Sequence, residues 1–383
     1  MDDDADAHAL LRLIHAGGAA APRRRLLEHA EGPAAALAGG APGWREAGLD
    51  AAQRAALSGP EDAIDGWRRW LADAPARHVI GWHDPDYPLL LKRMQAPPLA
   101  LFVEGDPCRL WRAGVAVVGS RAPTAGGRDN ATLFARRFAV EGLAVISGLA
   151  SGIDAAAHTA ALDARGDTVA VLGSGIDMPY PRSNLRLHGR IVEAGTVVSE
   201  YPPGTPARRE QFPSRNRIVA GLALGTLVVE AAQRSGALIT ARLAADAGRE
   251  GFAIPGSIHN PMARGCHRLL RDGATLVETP EEVTGALSAI AGELADALRE
   301  RLDAPIQSGE TILNTAGAGA APDPDSVDPD YNRLWKALGH DPTGMDELVA
   351  RSGLTVARAS AMLLSMELDG RVALLHGRYS RKS

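Results

Sequence analysis

Between residues 113 and 280 of this 383-residue chain, short apolar runs alternate with helix-spaced stretches. Seven runs stand out: VAVVG (Val115–Gly119), LAVIS (Leu143–Ser147), TVAVLG (Thr168–Gly173), TVVSE (Thr196–Glu200), TLVVE (Thr226–Glu230), GFAIPG (Gly251–Gly256) and ATLVE (Ala274–Glu278). Most are rich in β-branched residues, and mostly helical crossovers separate them. That pattern predicts a parallel sheet buried on both faces, because crossover helices cover it on either side. Right-handed crossovers put the strand-to-helix turns on one rim, where ligands of such sheets collect. The flanks read differently. Residues 1–75 are Ala-rich and helical in period, with LLRLIHAGG and RRRLLEHA as short amphipathic helices. Turn chemistry at Gly81–Pro88 closes that region. Residues 301–330, rich in Ala, Gly, Pro and Asp, read as a flexible linker. Residues 331–383 hold three helical patterns and a hairpin-like VALLHGRYSR, the order of a winged helix. The expected fold is thus α/β: a helical segment over 1–75, a parallel-sheet core over 76–300, the linker, and a winged helix.

Composition narrows the functions. Hydrophobic residues are 45% and charged residues 23%, and the net charge is −5. Any site for a polyanion must therefore be a local patch. Only Lys92, Lys336 and Lys382 among the 41 basic residues are lysines, so an isolated arginine carries little information. Cys108 and Cys266 are too few for a disulfide framework or a cysteine-based zinc site. The terminus MDDDADAH has neither the basic nor the apolar part of a signal peptide. The longest apolar run, Ile218–Val229, falls short of the ~20 residues of a membrane span. A cytoplasmic protein without a membrane partner is expected.

The candidate chemistry sits at the strand ends. Gly119-Ser120-Arg121 offers a sharp turn, a hydroxyl, backbone N–H groups and a guanidinium for phosphate oxygens; the plain alternative is a turn with a solvated arginine. Ser147-Gly148 begins a second Gly-rich turn that runs to Asp154, with His158 one helical turn on. Asp154 and His158 at i, i+4 could form a catalytic or metal pair, but no third ligand accompanies them, and the competing reading is a dipole-complementing acid and a packed histidine. Gly173-Ser174-Gly175, followed by Tyr180-Pro181, is a third such turn on the same rim. The stretch Pro206–Arg217 carries Arg208, Arg209, Arg215 and Arg217 against Glu210, a local excess of three positive charges, with Phe212 between the arginine pairs. Cations for phosphates and a ring for a base are what a single-strand binder needs. Core packing of Phe212 and ion pairing of Arg215 and Arg217 are the alternatives. Ser235-Gly236 could form another anion nest, and Glu230 could orient arginines. Cys266 beside His267 suggests a nucleophile only weakly, since neighbours on a helix point apart. No G-x-G-x-x-G and no Walker A sequence is present, so neither a dinucleotide cofactor nor ATP hydrolysis is expected.

The ordered motifs GSR (119–121), SGLASGIDAAAH (147–158), VLGSGIDMPYP (171–181), SEYPPG (199–204), FPSRNRIVAGLA (212–223), VVEAAQRSGALITARLAADAGREGFAIPG (228–256) and GCHRLLRDGA (265–274) resemble the DNA-processing protein A (DprA, or Smf) family. The resemblance implies a sterile-alpha-motif-like helical domain, an extended Rossmann-like core and a winged helix. It implies a non-enzymatic, homodimeric binder of single-stranded DNA that protects incoming strands in natural transformation and loads the RecA recombinase. Arg121 then resembles a main phosphate ligand, Phe212 and Arg209 a stacking platform with its cation, and Arg215, Asn216 and Arg217 residues that complete or shape the pocket. His267, Leu270 and Leu276 resemble the dimer contact. Ser151 stands where the family more often has a basic residue, and Arg209 where lysine is common.

Two other functions compete. A phosphoribohydrolase-like nucleotide-processing enzyme would use Glu230 as its acid and Gly236 in a phosphate loop, although no Gly-Gly-x-Gly-Thr sequence is present. The winged helix could read duplex DNA, but its third helix, Thr355–Gly370, sets Arg358 against Glu367 and Asp369, and its second carries Asp346 and Glu347. A protein contact fits that charge pattern at least as well as a weak duplex contact.

Overall fold

The seven apolar runs are strands, each within a few residues of its expected bounds. The computed structural model describes residues 3–303, 329–338, 343–368, 371–375 and 378–381. Six helices come first: α1 (Asp3–His15), α2 (Ala20–Glu28), α3 (Pro33–Ala38), α4 (Gly40–Glu46), α5 (Ala51–Leu57) and α6 (Asp62–Ala72). β1 (Arg77–Gly81), α7 (Leu89–Lys92) and β2 (Ala100–Gly105) lead into the alternating part. That part runs β3 (Gly114–Val118), α8 (Ala125–Val140), β4 (Ala144–Ser147), α9 (Ile153–Asp163), β5 (Thr168–Leu172), α10 (Leu185–Ala194) and β6 (Thr196–Ser199). It continues with α11 (Gln211–Leu222), β7 (Gly225–Val228), α12 (Ala237–Asp246), β8 (Glu250–Ala253), α13 (Arg264–Arg271), β9 (Thr275–Leu276) and α14 (Pro280–Asp303).

The sheet order is β1-β2-β6-β5-β4-β3-β7-β8-β9. From β6 to β9 all neighbours are parallel. β2 joins β6 antiparallel, and β1 joins β2 antiparallel, two strands that the sequence pattern did not reveal. Neither leads into a long helical crossover, the signal that marked the other seven. Strands are added on one side of β3 up to β6 and on the other from β7 onward. The order therefore reverses between β3 and β7, and a crevice opens there at the carboxyl ends.

Residues Met1–Leu287 form one compact unit. Within it the amino-terminal helices have a small core of their own, with Leu13, Leu26, Leu37, Trp44 and Leu57 inside. Their other apolar face, with Leu11, Ile64, Trp67 and Trp70, packs on Phe102, Leu172 and Val197 of the sheet. The rings of Trp67 and Trp70 each meet Phe102 edge-on at 6.2 Å, an arrangement that ring quadrupoles favour.

The second compact unit spans Ser288–Ser383. It holds α15 (Pro329–Ala337), β10 (Thr343–Gly344), α16 (Met345–Ser352), α17 (Val356–Leu368), β11 (Val372–Leu375) and β12 (Arg378–Arg381), with strand order β10-β12-β11. The three helices and hairpin are those expected of a winged helix. Leu334, Leu348, Leu363, Met366 and Tyr379 form its core. Gly353, with φ of 68°, closes α16 in the left-handed conformation that glycine adopts without steric cost. The linker expected over 301–330 lies outside the described residues except at its two ends, where α14 stops at Asp303 and α15 starts at Pro329.

Candidate functional site

The crevice at the strand reversal is a cleft of ≈ 660 Å³. β3 brings Gly119 and Arg121 to it, and the turn after β4 brings Gly148 and Ala150. The turn after β5 contributes Tyr180, and the segment entering α11 contributes Arg209, Phe212, Arg215 and Asn216. Ser235 and Gly236, ahead of α12, close the far wall. Residues spread over more than a hundred positions thus meet because each sits where a parallel strand ends.

One wall pairs cations with rings. The Arg121 guanidinium carbon lies 5.6 Å from the centroid of the Phe212 ring, within cation–π range. Phe212 is half-buried, while Arg121 and Arg209 are exposed. Tyr180 lies 5.5 Å from Phe212, ring to ring and tilted by 51°, and is 49% exposed. The platform is therefore two rings wide. Sequence reasoning noted Tyr180 only as part of a turn; an aromatic residue directly after a Gly-rich strand end was the available signal.

The floor is a buried polar network. Leu149 has φ of 58°, a conformation costly for a residue with a side chain. Two partners hold it there. The Asp154 carboxylate accepts the N–H groups of Gly148 at 3.1 Å and Ala150 at 3.3 Å, and the Asn184 amide donates to the Leu149 carbonyl at 2.9 Å. Arg215 is 4% exposed and donates to the carbonyls of Gly148 and Val171. Burial pushes the Arg215 guanidinium down to about 10, with Asp154 opposing that shift, so it stays charged at neutral pH. Burial likewise raises the Asp154 carboxyl, against the pull of Arg215 and the two backbone N–H groups. Gly148 is required here: a Cβ at this position would overlap the Arg215 guanidinium. Asn216 bridges floor and wall, accepting from Arg215 Nε at 3.2 Å and donating to the Gly236 carbonyl at 3.3 Å.

A model of the DNA recombination-mediator protein A family matches residues 78–288, and one of the DprA winged helix domain matches residues 318–378. Protein Smf of Escherichia coli K12 is 40% identical over 326 residues, which cover 85% of this chain and 82% of Smf. The chain belongs to the DNA recombination-mediator protein A family. The DNA processing protein DprA of Streptococcus pneumoniae R6 is 45% identical over 200 residues, 52% of this chain and 71% of that protein. The X-ray structure of DprA from Streptococcus pneumoniae superposes with a TM-score of 0.63 at 35% identity, covering 72% of this chain and 95% of that one.

Three residues expected at the site of this family member are placed elsewhere. Ser120 is buried; its N–H donates to the Glu230 carbonyl at 2.7 Å and its hydroxyl accepts from Ala122 N at 3.1 Å. Ser147 is fully buried and donates to the Val117 carbonyl at 2.6 Å. Both shape turns rather than line the cleft. Arg217 points to the other side of α11, where it pairs with both oxygens of Glu200 at 2.5 Å. The reason is angular: two residues apart on a helix is a rotation of roughly 200°, so Arg215 and Arg217 cannot share a face.

The remaining candidates resolve locally. Glu230 accepts from Thr124 N and from the Thr124 hydroxyl at 2.7 Å, so it fixes the start of α8 rather than orienting arginines, and it is not among the cleft residues. His158 is fully buried with Nδ1 2.7 Å from the Thr168 hydroxyl, while Asp154 serves the 148–150 turn, so the two do not act as a pair. Cys266 is buried and burial raises its thiol to about 11, while His267 contacts the Gly256 carbonyl through Nε2 at 2.9 Å. Leu270 is half-buried against the core, and Leu276, 50% exposed, sits on the terminal strand β9. Among the described residues no helix is long and apolar enough to cross a membrane.

Proposed function

We propose that the cleft binds single-stranded DNA, and that the protein is a recombination mediator which protects incoming strands in natural transformation and loads the RecA recombinase. The observation that carries this reading is the meeting of Arg121, Arg209, Phe212 and Tyr180 on one cleft. Guanidinium groups suit phosphates, rings suit any base, and a ring already overlain by a guanidinium is a surface on which a flat base can take its place. Paired bases keep their faces stacked, so the rings favour unpaired strands. Family membership supports the same reading. The protein then works in the cytoplasm as a homodimer, and the exposed Leu276 on the free edge of the sheet supports the contact expected around His267, Leu270 and Leu276.

The nucleotide-processing alternative needs a free acid at Glu230, and the engagement of that carboxylate with Thr124 counts against it. The decisive measurement is fluorescence anisotropy of wild type and Arg121→Ala with oligo-dT and with duplex over a range of salt. Wild type is expected to prefer oligo-dT and to weaken steeply as salt rises through counterion release. The variant is expected to lose most of the affinity. Equal binding of duplex and oligo-dT would overturn the reading.

A further inference from the structure

Arg121 lines two cavities. Besides the cleft it borders a groove of ≈ 470 Å³ between α8 and α9, which also carries Arg128, Thr132, Ser151 and Thr159. We propose that a strand held in the cleft leaves it over Arg121 and continues along this groove, where Arg128 takes a further phosphate. The proposal rests on the single-strand reading of the cleft.

Three features carry it. The first is continuity. A guanidinium presents five donors in a rigid fork, so Arg121 can serve phosphates on both of its sides and join the two cavities into one track. The second is charge. Arg121 and Arg128 are both exposed, and the groove's one acid, Asp163, is already paired with Arg190 at 2.6 Å. The track is therefore cationic along the part nearest the cleft and ends where the neutralised pair begins. The third is shape. The floor consists of Gly152, Ala155 and Ala156, which let a sugar–phosphate backbone approach the helices, and Thr132 and Thr159 add hydroxyls. No ring lines this groove, so it offers bases nothing to stack on. It is a backbone track attached to a base-stacking platform, and both are indifferent to sequence.

The test uses the full chain as wild type, Arg121→Ala, Arg128→Ala and Arg128→Lys, with fluorescein-labelled oligo-dT of about 4 to about 16 nucleotides, the span of single-strand footprints. Arg128→Ala is expected to match wild type on the shortest oligonucleotide and to bind the longer ones roughly five- to tenfold more weakly, the size of one solvent-exposed hydrogen-bonded contact. Its salt dependence on the longer oligonucleotides is expected to shallow by about 0.7, the loss of one neutralised phosphate on a single strand. Arg128→Lys is expected to restore most of both. If Arg128→Ala behaves as wild type at every length while Arg121→Ala is weak, the groove is not part of the path and the cleft reading stands. Equal weakening at all lengths would also overturn the proposal, since Arg128 would then act on the cleft itself. Failure of wild type to bind oligo-dT at low salt removes both readings.

Discussion

On the proposed single-strand reading, the preference for unpaired strands is expected to turn on Phe212. Its ring is half-buried, overlain by Arg121 and flanked by Tyr180. Stacking of one base on such a ring is worth about 1–3 kcal/mol. Phe212→Ala is therefore expected to cost that much for oligo-dT and little for duplex, read as the ratio of the two affinities. Tyr180→Ala is expected to produce a smaller loss of the same kind, since its ring is the outer of the two. An unchanged ratio in both variants would remove the rings from recognition. Gly148 makes a different prediction, because its role is spatial. Gly148→Ala puts a methyl onto the Arg215 guanidinium and is expected to cost about 1–3 kcal/mol of stability by overpacking. The measurement is a denaturant midpoint, and a wild-type midpoint would show that the floor is not rigid.

At the scale of elements, α11 separates two jobs. Arg215 faces the cleft floor and Arg217 faces Glu200. Arg217→Ala is expected to leave oligo-dT affinity unchanged and to lower the melting temperature, because Glu200 loses its partner in a partly buried place, at a cost of about 1–3 kcal/mol. Arg209→Ala is expected to do the reverse. The arginine-rich stretch could be found in the sequence, but which of its residues faces the cleft could not, since that needs the placement of α11 against the sheet. Of the seven parallel strands, β3 to β7 were legible because strands buried on both faces must be apolar throughout, whereas β9 at the sheet edge is exposed. β1 and β2 were not legible, since no long crossover follows them. Ser120 and Ser147 looked like phosphate ligands for a related reason. A serine at a strand end can point either out to a ligand or back to a backbone N–H or carbonyl, and only the turn geometry chooses.

The whole molecule sets the response to acid. His158 is fully buried, and burial, with Arg215 adding to it, depresses its ring from 6.5 to about 3. Between those values the unfolded chain binds a proton that the folded chain excludes, so stability rises with pH through this window and is lost on acidification. His158→Gln is expected to flatten the pH dependence of the denaturant midpoint between about pH 6.5 and pH 3, whatever its effect at neutral pH; an unaltered slope would rule His158 out as a source. The two compact units make a further prediction. A chain cut after Asp303 keeps every cleft and groove residue and is expected to retain the salt slope of wild type on oligo-dT. In the winged helix Arg358, the basic residue of its third helix, pairs with Asp330 at 2.6 Å, so that helix brings no uncommitted cation to a duplex. Gel retardation of duplex at low salt by residues 329–383, which keep this pair, lost in Arg358→Ala, would contradict that.

Sequence alone determined the layering, the rim on which ligands gather and the chemistry available there, because burial demands apolar runs and close turns demand glycine. Tertiary structure decided which polar groups stay free. An arginine or serine is a ligand only if no carbonyl or carboxylate within the fold reaches it first, and such partners come from strands and helices far apart in the chain, as Val117 does for Ser147 and Glu200 for Arg217.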